Sequence, residues 1–321
     1  MSAGGKRIVQ LLAAGVVALF VFGFVVGAIG SAFFGDGEKG GFLPKPEVHL
    51  PPQPVLASDA EAAEAEHKLP VRFLITNTLL SSWITTAVLI VLFFFATRNK
   101  DAGKAPRGLQ NLVEAVIGIM YDFVESVAGK DLTRRLFPLI ATIFLFVVAN
   151  AWMGLLPIYP SLGFKNEHGE IVRHLLRPAG TDLNMPMALA LVSFVFVEYW
   201  GIRTLGWGYF GKFFRFGALL RARGLGGLFQ GLIDIFVGML ELLSEFVRIV
   251  SFTFRLFGNM TAGEILLLVT AFLIPFVFSL PFYGLELLVG FIQALIFAGL
   301  TLVFVTIAVM PHEGHEAEEH G

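Results

Sequence analysis

Residues 225–272 read LGGLFQGLIDIFVGMLELLSEFVRIVSFTFRLFGNMTAGEILLLVTAF. This stretch contains no proline, and the next proline in the chain is Pro275. As one helix the stretch would be ~70 Å long at ~1.5 Å per residue. That is more than twice the ~30 Å thickness of the hydrocarbon core of a bilayer. The segment must therefore bend, break or tilt strongly. Because no proline or polar turn cluster divides it, we expect one strongly tilted helix.

The polar residues of this stretch recur at steps of three and four, so on a helix they share one face. This polar stripe consists of Glu241, Ser244, Arg248, Ser251, Arg255 and Asn259. Arg255 is surrounded by apolar residues, and a guanidinium there keeps its charge at every accessible pH. Near the bilayer centre that charge costs at least ~2.5–3.5 kcal/mol. Single polar side chains can simply join membrane helices, but a stripe of six predicts a functional path with Arg255 as its fixed charge.

Two carboxylates lie apart from the polar stripe. Glu264 follows Arg255 by nine residues, which places it on the opposite face and ~13 Å further along the helix, so the two are not expected to pair. Glu286 and Gln293 share a face in the last apolar segment. Glu286 lies in apolar surroundings, the kind of position at which carboxyl groups take up and release protons. None of the seven histidines lies in an apolar segment, so carboxylates, amides and water would have to carry any protons.

The composition predicts an all-α integral membrane protein. The chain has 321 residues, of which 56% are hydrophobic and only 15% charged, against ~25% charged in soluble domains. A net charge of −2 gives no support for nucleic-acid binding. The chain has no cysteine, and its apolar segments hold no histidine or paired aspartates, which disfavours an intramembrane hydrolase. No internal repeat is evident, which weakens the alternative of a stand-alone secondary transporter.

Six segments are long and apolar enough to cross a bilayer. They are Ile8–Phe34, Phe73–Thr97, Leu136–Leu156, Met185–Ile202, Leu225–Phe272 and Phe282–Met310. The first follows two basic residues, so it is either a signal peptide or an uncleaved N-terminal anchor. Residues 109–128 have apolar positions at a spacing of three to four, with acids between them. That pattern is typical of an amphipathic helix at the membrane interface or of a packing helix.

Positive charge predicts the orientation. The connections Arg98–Arg135 and Arg203–Gly224 are rich in lysine and arginine and should be cytoplasmic, as should the C-terminus. We therefore divide the chain into a signal peptide or anchor (1–34), an outer, acidic and proline-rich loop (35–70), a membrane domain (71–310) and a cytoplasmic tail (311–321). The tail contains three histidines but reads as solvated, so no metal site and no cofactor are predicted.

A resemblance to a known family sharpens this interpretation. The sequence SFTFRLFGNMTAGE at Ser251–Glu264, with ELLSEFVR at Glu241–Arg248 before it, resembles the signature of subunit a of F-type ATP synthases. The run from Glu286 to Gln293-Ala-Leu-Ile-Phe is similar to the last helix of that family. The sequences NAWMGLLP (Asn150–Pro157) and TDLN (Thr181–Asn184) resemble weaker family patterns. The resemblance covers about residues 70 to 310.

The resemblance implies a non-catalytic, ion-translocating stator subunit in the Fo sector of a bacterial plasma membrane. Its partners would be the ring of c subunits, the peripheral-stalk b subunits, other ATP synthase subunits and the lipid bilayer. It further implies five transmembrane helices, two of them long and tilted against the ring, in addition to the N-terminal hydrophobic segment. The essential arginine of the family falls on Arg255, which would keep the ring carboxylate ionised and prevent a proton leak.

The proton-path positions of the family fall on Asn259, Glu264, Glu286 and Gln293 on one side of the membrane. Glu241, Ser244 and Ser251, with Arg248 in the approach to them, are candidates for the other side. Many family members have one histidine and one glutamate at the positions of Glu264 and Glu286, whereas this chain has glutamate at both. Protons are the expected coupling ion, and a sodium-translocating version of the same subunit remains the alternative.

Overall fold

The computed structural model describes residues 3–34, 52–55, 75–98, 108–165, 171–213 and 224–310. In these residues the helices are α1 Ala3–Val26, α2 Ala28–Phe34, α3 Asn77–Thr97, α4 Leu109–Ala128, α5 Lys130–Gly154, α6 Ile158–Ser161, α7 Asn184–Leu205, α8 Gly224–Leu273 and α9 Leu280–Val309. Two short antiparallel strands, β1 Gly163–Lys165 and β2 Ile171–His174, form a hairpin before α7. Most of the predicted outer loop 35–70, the segments 99–107 and 214–223 and the tail 311–321 lie outside the described residues.

The chain is an all-α membrane protein, and its longest element is one continuous helix, as predicted. Helix α8 runs for 50 residues without interruption, which corresponds to ~75 Å at ~1.5 Å per residue. The amphipathic segment is helix α4, with the predicted bounds. Other elements differ from the prediction. Helix α5 begins at Lys130 rather than at Leu136, and the N-terminal segment forms two helices that meet at Gly27.

Several helix ends have a direct cause in the sequence. Gly108 and Gly129 flank α4, and Gly206 follows α7. Their φ angles are 60°, 76° and 59°, a region that glycine enters at little cost because it has no Cβ. Helix α8 ends at Leu273, two residues before Pro275, since a proline restricts the residue before it and cannot continue the hydrogen-bonding pattern.

Five helical segments of the described chain are long and apolar enough to cross a membrane. They are Gly5–Val26, Asn77–Thr97, Lys130–Gly154, Asn184–Leu205 and Phe276–Val309. Five of the six predicted segments correspond to these. The sixth, within α8, is not among them, and it is the helix that carries the polar stripe.

The chain divides into two compact units. The first unit comprises Met1–Thr85, Val148–Asp182 and Phe257–Ile292; the second comprises Thr86–Val147, Leu183–Leu256 and Gln293–Gly321. Helices α3, α5, α8 and α9 each contribute residues to both units.

In the first unit, α1 packs against the turn between α8 and α9. A Cβ added at Gly23 would overlap the carbonyl oxygen of Pro275, so only a glycine permits this approach. The ring of Phe20 lies 6.2 Å from that of Phe278, centroid to centroid. Glycines that let a backbone come this close are a common feature of helix packing in membranes.

In the second unit, α8 packs against α9 through aromatic side chains. The rings of Phe252 and Phe297 lie 4.9 Å apart between centroids. Leu256 of α8 and Leu302 of α9 are fully buried beside them. Burying a leucine away from water stabilises a fold by roughly 1.5–3 kcal/mol. In a membrane the alternative surroundings are lipid, which is as apolar as the protein core, so this core depends more on close packing.

Candidate functional site

The polar stripe of α8 lies on the surface of the chain. Arg255 and Ser251 are exposed, whereas their neighbours Phe252 and Leu256 are buried. Of the remaining members, Ser244 and Asn259 are exposed, and Glu241 and Arg248 are half-buried. Most of the polar stripe is therefore at the surface of the chain, together with exposed apolar residues of the same helix such as Phe246 and Phe254.

Arg255 has no acidic partner among the side chains that the structure describes. Its Nη2 donates a long hydrogen bond of 3.4 Å to Oγ of Ser251, and its guanidinium lies 6.0 Å from the ring centroid of Phe252. Glu264 pairs with a different arginine. Arg255 thus presents an uncompensated, permanent positive charge at the surface of a mostly apolar helix.

Arg248 has a different environment, although the sequence places it in the same stripe. Its Nη1 lies 2.7 Å from Oε2 of Glu245, one turn earlier on α8. Its guanidinium also lies 3.8 Å from the ring centroid of Phe304, a cation–π contact. The charge of Arg248 is therefore compensated within the chain. Glu245 was not singled out from the sequence, although it lies three residues before Arg248.

The first unit contains a cavity of about 190 Å³, which exceeds the space needed for one water molecule several times over. The cavity is bounded by α8, α9, the start of α3 and the segment that precedes α7. Its main polar lining residues are Asn77, Tyr159, His174, Arg177, Glu264 and Glu286. The two predicted carboxylates thus face one cavity.

A residue that the sequence did not single out, Arg177, pairs with Glu264 in this cavity. Its Nη2 lies 3.1 Å from Oε2 of Glu264, and only 10% of the Arg177 side chain is exposed. The backbone N–H of Arg177 donates to Oγ of Ser81 at 3.2 Å. Thr78 donates to Oδ2 of Asp182 at 2.7 Å. Polar residues of α3 therefore fix the segment that carries the guanidinium.

Glu286 enters the cavity from α9 and is 7% exposed. Its carboxylate lies against Gly263 of α8, where an added Cβ would overlap it. Trp152 supports this part of α9, because its Nε1 donates to the carbonyl oxygen of Leu287 at 3.0 Å. A Cβ at Gly290 would come within 2.7 Å of the Ala151 Cβ. The sequence NAWMGLLP thus helps to position the helix of Glu286.

The other two residues of the predicted proton path, Asn259 and Gln293, belong to different units. Asn259 is exposed on α8 in the first unit, and Gln293 is 2% exposed on the buried face of α9 in the second. Glu286 shares that buried face of α9, as the seven-residue spacing predicts.

Tyr159 lines the same cavity without adding a charge. Burial raises the pKa of its hydroxyl above the usual value of 10.0, although hydrogen bonds to Ser81 and Thr85 act in the other direction. The hydroxyl therefore stays protonated at physiological pH and offers the cavity a neutral donor and acceptor.

One sequence signal could have identified Arg177. It is the only charge in the run LLRPAG at residues 175–180, directly before the TDLN sequence. A single arginine in an apolar segment usually has a partner or a function.

Comparison with known proteins gives a consistent result. A sequence model of the family described as ATP synthase A chain matches residues 79–306. The chain is 33% identical to the ATP synthase subunit a of Gloeobacter violaceus over 239 residues, which cover 74% of this chain and 86% of that protein. It is 32% identical over 247 residues to the proteins of the same name from Mycobacterium ulcerans and Mycobacterium marinum, covering 75% of this chain and 89% of each relative.

Proposed function

The chain belongs to the family of ATP synthase subunit a, and from that membership we propose that it is the proton-translocating stator subunit that works against a ring of c subunits. Membership in the family makes the chain a multi-pass membrane subunit of the ATP synthase complex. The finer assignment concerns which residues contact the ring and which carry the ion.

The observation that supports this proposal most strongly is the environment of Arg255. The arginine is exposed, always charged, and without an acidic partner among the described residues. A carboxylate supplied by another subunit would compensate it. Opposite charge within ~4–6 Å favours the ionised form of such a carboxylate, so a ring carboxylate that reaches Arg255 releases its proton.

Two separate aqueous paths would lead to this point. The cavity lined by Glu264 and Glu286 is the candidate for one path, and Asn259 and Gln293 are further candidate residues of that path. Glu241, Ser244 and Ser251 are candidates for the other. Protons cannot pass directly between the paths, because a fixed positive charge excludes them from the region between. Each proton must instead cross on a rotating ring carboxylate, driven by ~2.3 kcal/mol per 100 mV plus any pH difference.

The chain itself has no chemical step to perform in this mechanism. No bond to phosphate is made or broken in the membrane part, and the residues named bind, orient and release protons. We therefore propose a non-catalytic role for this subunit, in a bacterial plasma membrane with the C-terminus in the cytoplasm.

Cross-linking tests whether the polar stripe faces the ring. The chain has no cysteine, so Ser251→Cys introduces a single thiol next to Arg255. A second cysteine is placed beside the carboxylate of the small ring protein in the same complex. We expect oxidation to join the two chains. Ile90→Cys is the matched control, since Ile90 is 64% exposed but lies on α3. Absence of the Ser251 product, or equal yields from both positions, would contradict the proposed contact.

The identity of the coupling ion is independent of the contact between the polar stripe and the ring. We propose protons, and ATP-driven transport by the reconstituted complex, measured with and without sodium at one pH, tests this. Transport that requires sodium would assign the same stator role to a sodium-translocating complex.

A further inference from the structure

Residues 52–55, a part of the predicted outer loop that the structure describes, pair with the chain directly before α3. The backbone N–H of Val55 donates to the carbonyl oxygen of Ile75 at 2.9 Å, and the N–H of Asn77 donates to the carbonyl oxygen of Gln53 at 3.0 Å. Residues 52–55 belong to the first unit. They precede the part of the chain that the family model matches, so membership in the family assigns them no role.

Asn77 joins this segment to the β-hairpin. Its side chain is buried. Its Oδ1 accepts a hydrogen bond from the backbone N–H of Gln53 at 3.3 Å, and its Nδ2 donates to the carbonyl oxygen of His174, the last residue of β2, at 3.3 Å. A side-chain amide has both a donor and an acceptor, so this one residue holds Gln53 and His174 close to each other.

Gln53 and His174 both line the cavity that contains Glu264 and Glu286. Glu286 is buried, whereas Gln53 is half-buried and His174 is exposed. Gln53 and His174 lie on non-helical backbone, which is stable beside water or protein but not beside lipid tails. The polar lining of the cavity therefore includes a buried carboxylate and two polar residues at a surface suited to water.

Other exposed residues of the lining are better suited to lipid. Leu156 and Leu268 are exposed and apolar. Tyr283 is the other exposed polar residue that lines the cavity, but Leu280 and Leu287, three and four residues away on α9, are exposed as well. Residues at this spacing share one side of a helix, so Tyr283 lies on an apolar side of α9.

We propose that the cavity opens to water between Gln53 and His174, and that protons reach Glu286 through this opening. Residues 52–55 then form part of the wall of the proton path, and the path leads to the side of the membrane on which the outer loop lies. This inference rests on the proposed function, in which the cavity is the candidate for one of the two paths.

Thiol labelling tests where the cavity opens. The chain has no cysteine, so Gln53→Cys and His174→Cys each introduce one thiol, in a complex whose other subunits carry none. The purified complex is treated with a methanethiosulfonate reagent that bears a trimethylammonium group and is then reconstituted in vesicles, and mass spectrometry measures the labelled fraction. We expect both thiols to be labelled and ATP-driven proton pumping to fall at least about tenfold, because a fixed positive charge in the opening repels protons. Removal of the label with dithiothreitol should restore the rate of the unlabelled variant.

Val55→Cys is the matched control, since Val55 is half-buried in the same segment but does not line the cavity. Labelling should leave the rate of Val55→Cys unchanged, and it should slow Tyr283→Cys less than Gln53→Cys. The proposal is wrong if the thiol at position 53 or 174 escapes labelling, if labelling leaves the rate unchanged, or if Val55→Cys is slowed as much. A greater loss at Tyr283→Cys would place the opening beside α9 and would also overturn the proposal.

Each rate is compared within one variant, before and after labelling, so a loss of stability caused by the cysteine itself does not enter the result. Gln53 and His174 lie on different segments, and each tests the proposal alone if the other variant fails to assemble. Arg255→Ala is measured in the same preparation. If Arg255→Ala pumps normally, the proposed function fails; if it does not pump but the labelled variants keep their rates, only the position of the opening is wrong.

Discussion

At Gly263, one added methyl group should slow proton transport without lowering the stability of the fold. A Cβ there would overlap the carboxylate of Glu286, which is the mobile end of a side chain and can move aside. We expect Gly263→Ala to leave the apparent Tm of the complex unchanged and to slow proton pumping by about tenfold or more. A misplacement of about 1 Å can have that effect on a positioned group.

The control for this prediction is Gly118→Ala. Gly118 is also helical, and an added Cβ there meets no atom within 4 Å. Pumping by Gly118→Ala should match the wild type. A Gly263→Ala complex that pumps at the rate of this control would show that the position of the Glu286 carboxyl group does not limit transport.

Single residues differ in how far the sequence could identify them. Arg255, Glu264 and Glu286 stand out because each is a charged group in an apolar segment, and the spacing along α8 places Arg255 and Glu264 on different faces. Arg177 is also the only charge in its apolar run, but its partner Glu264 lies 87 positions later in the chain. Only the folded structure brings these two side chains together, and no periodicity in the sequence encodes their contact.

At the scale of elements, the N-terminal helix α1 packs closely on the turn that joins α8 and α9. Gly23→Leu would drive a side chain into the carbonyl group of Pro275, and the backbone there cannot move aside as a flexible side chain can. We expect the apparent Tm of the chain in detergent to fall by a few degrees, which corresponds to about 1–2 kcal/mol for a protein of this size.

Gly15→Leu is the matched control for α1, since an added Cβ at Gly15 meets nothing within 4 Å. Both variants add the same side chain to the same helix, so a difference between them reports on the packing alone. Equal apparent Tm values for Gly23→Leu and Gly15→Leu would contradict the contact between α1 and the turn.

The elements themselves were largely predictable. The absence of proline predicted the continuous helix α8, and apolar spacing predicted α4. The start of α5 was wrong because the apolar run begins at Leu136, whereas the helix begins after Gly129, whose carbonyl oxygen accepts a 2.6 Å hydrogen bond from Thr133. The polar side of α3 was also missed. Asn77, Thr78 and Ser81 are short polar residues in an apolar run, and their partners lie about a hundred positions later in the chain.

At the scale of the whole molecule, composition and the length of apolar segments were sufficient to predict an all-α membrane protein. They could not predict the cavity of the first unit, because the segment before α7 that closes it has no regular pattern. The exposure of the polar stripe is likewise a property of the complete chain. The sequence does not tell which apolar neighbours of Arg255 face the interior; in the structure Phe252 and Leu256 are buried, whereas Phe254 is exposed.

The measurement that tests the central claim most directly is ATP-driven proton pumping by the reconstituted complex with Arg255→Ala. Arg203→Ala is the control, because Arg203 is an exposed arginine at the end of α7, where it contacts Tyr199 and Trp200. The account predicts that Arg255→Ala abolishes pumping and increases the passive proton leak of the vesicles, while Arg203→Ala pumps at close to the wild-type rate. Normal pumping by Arg255→Ala would contradict the account.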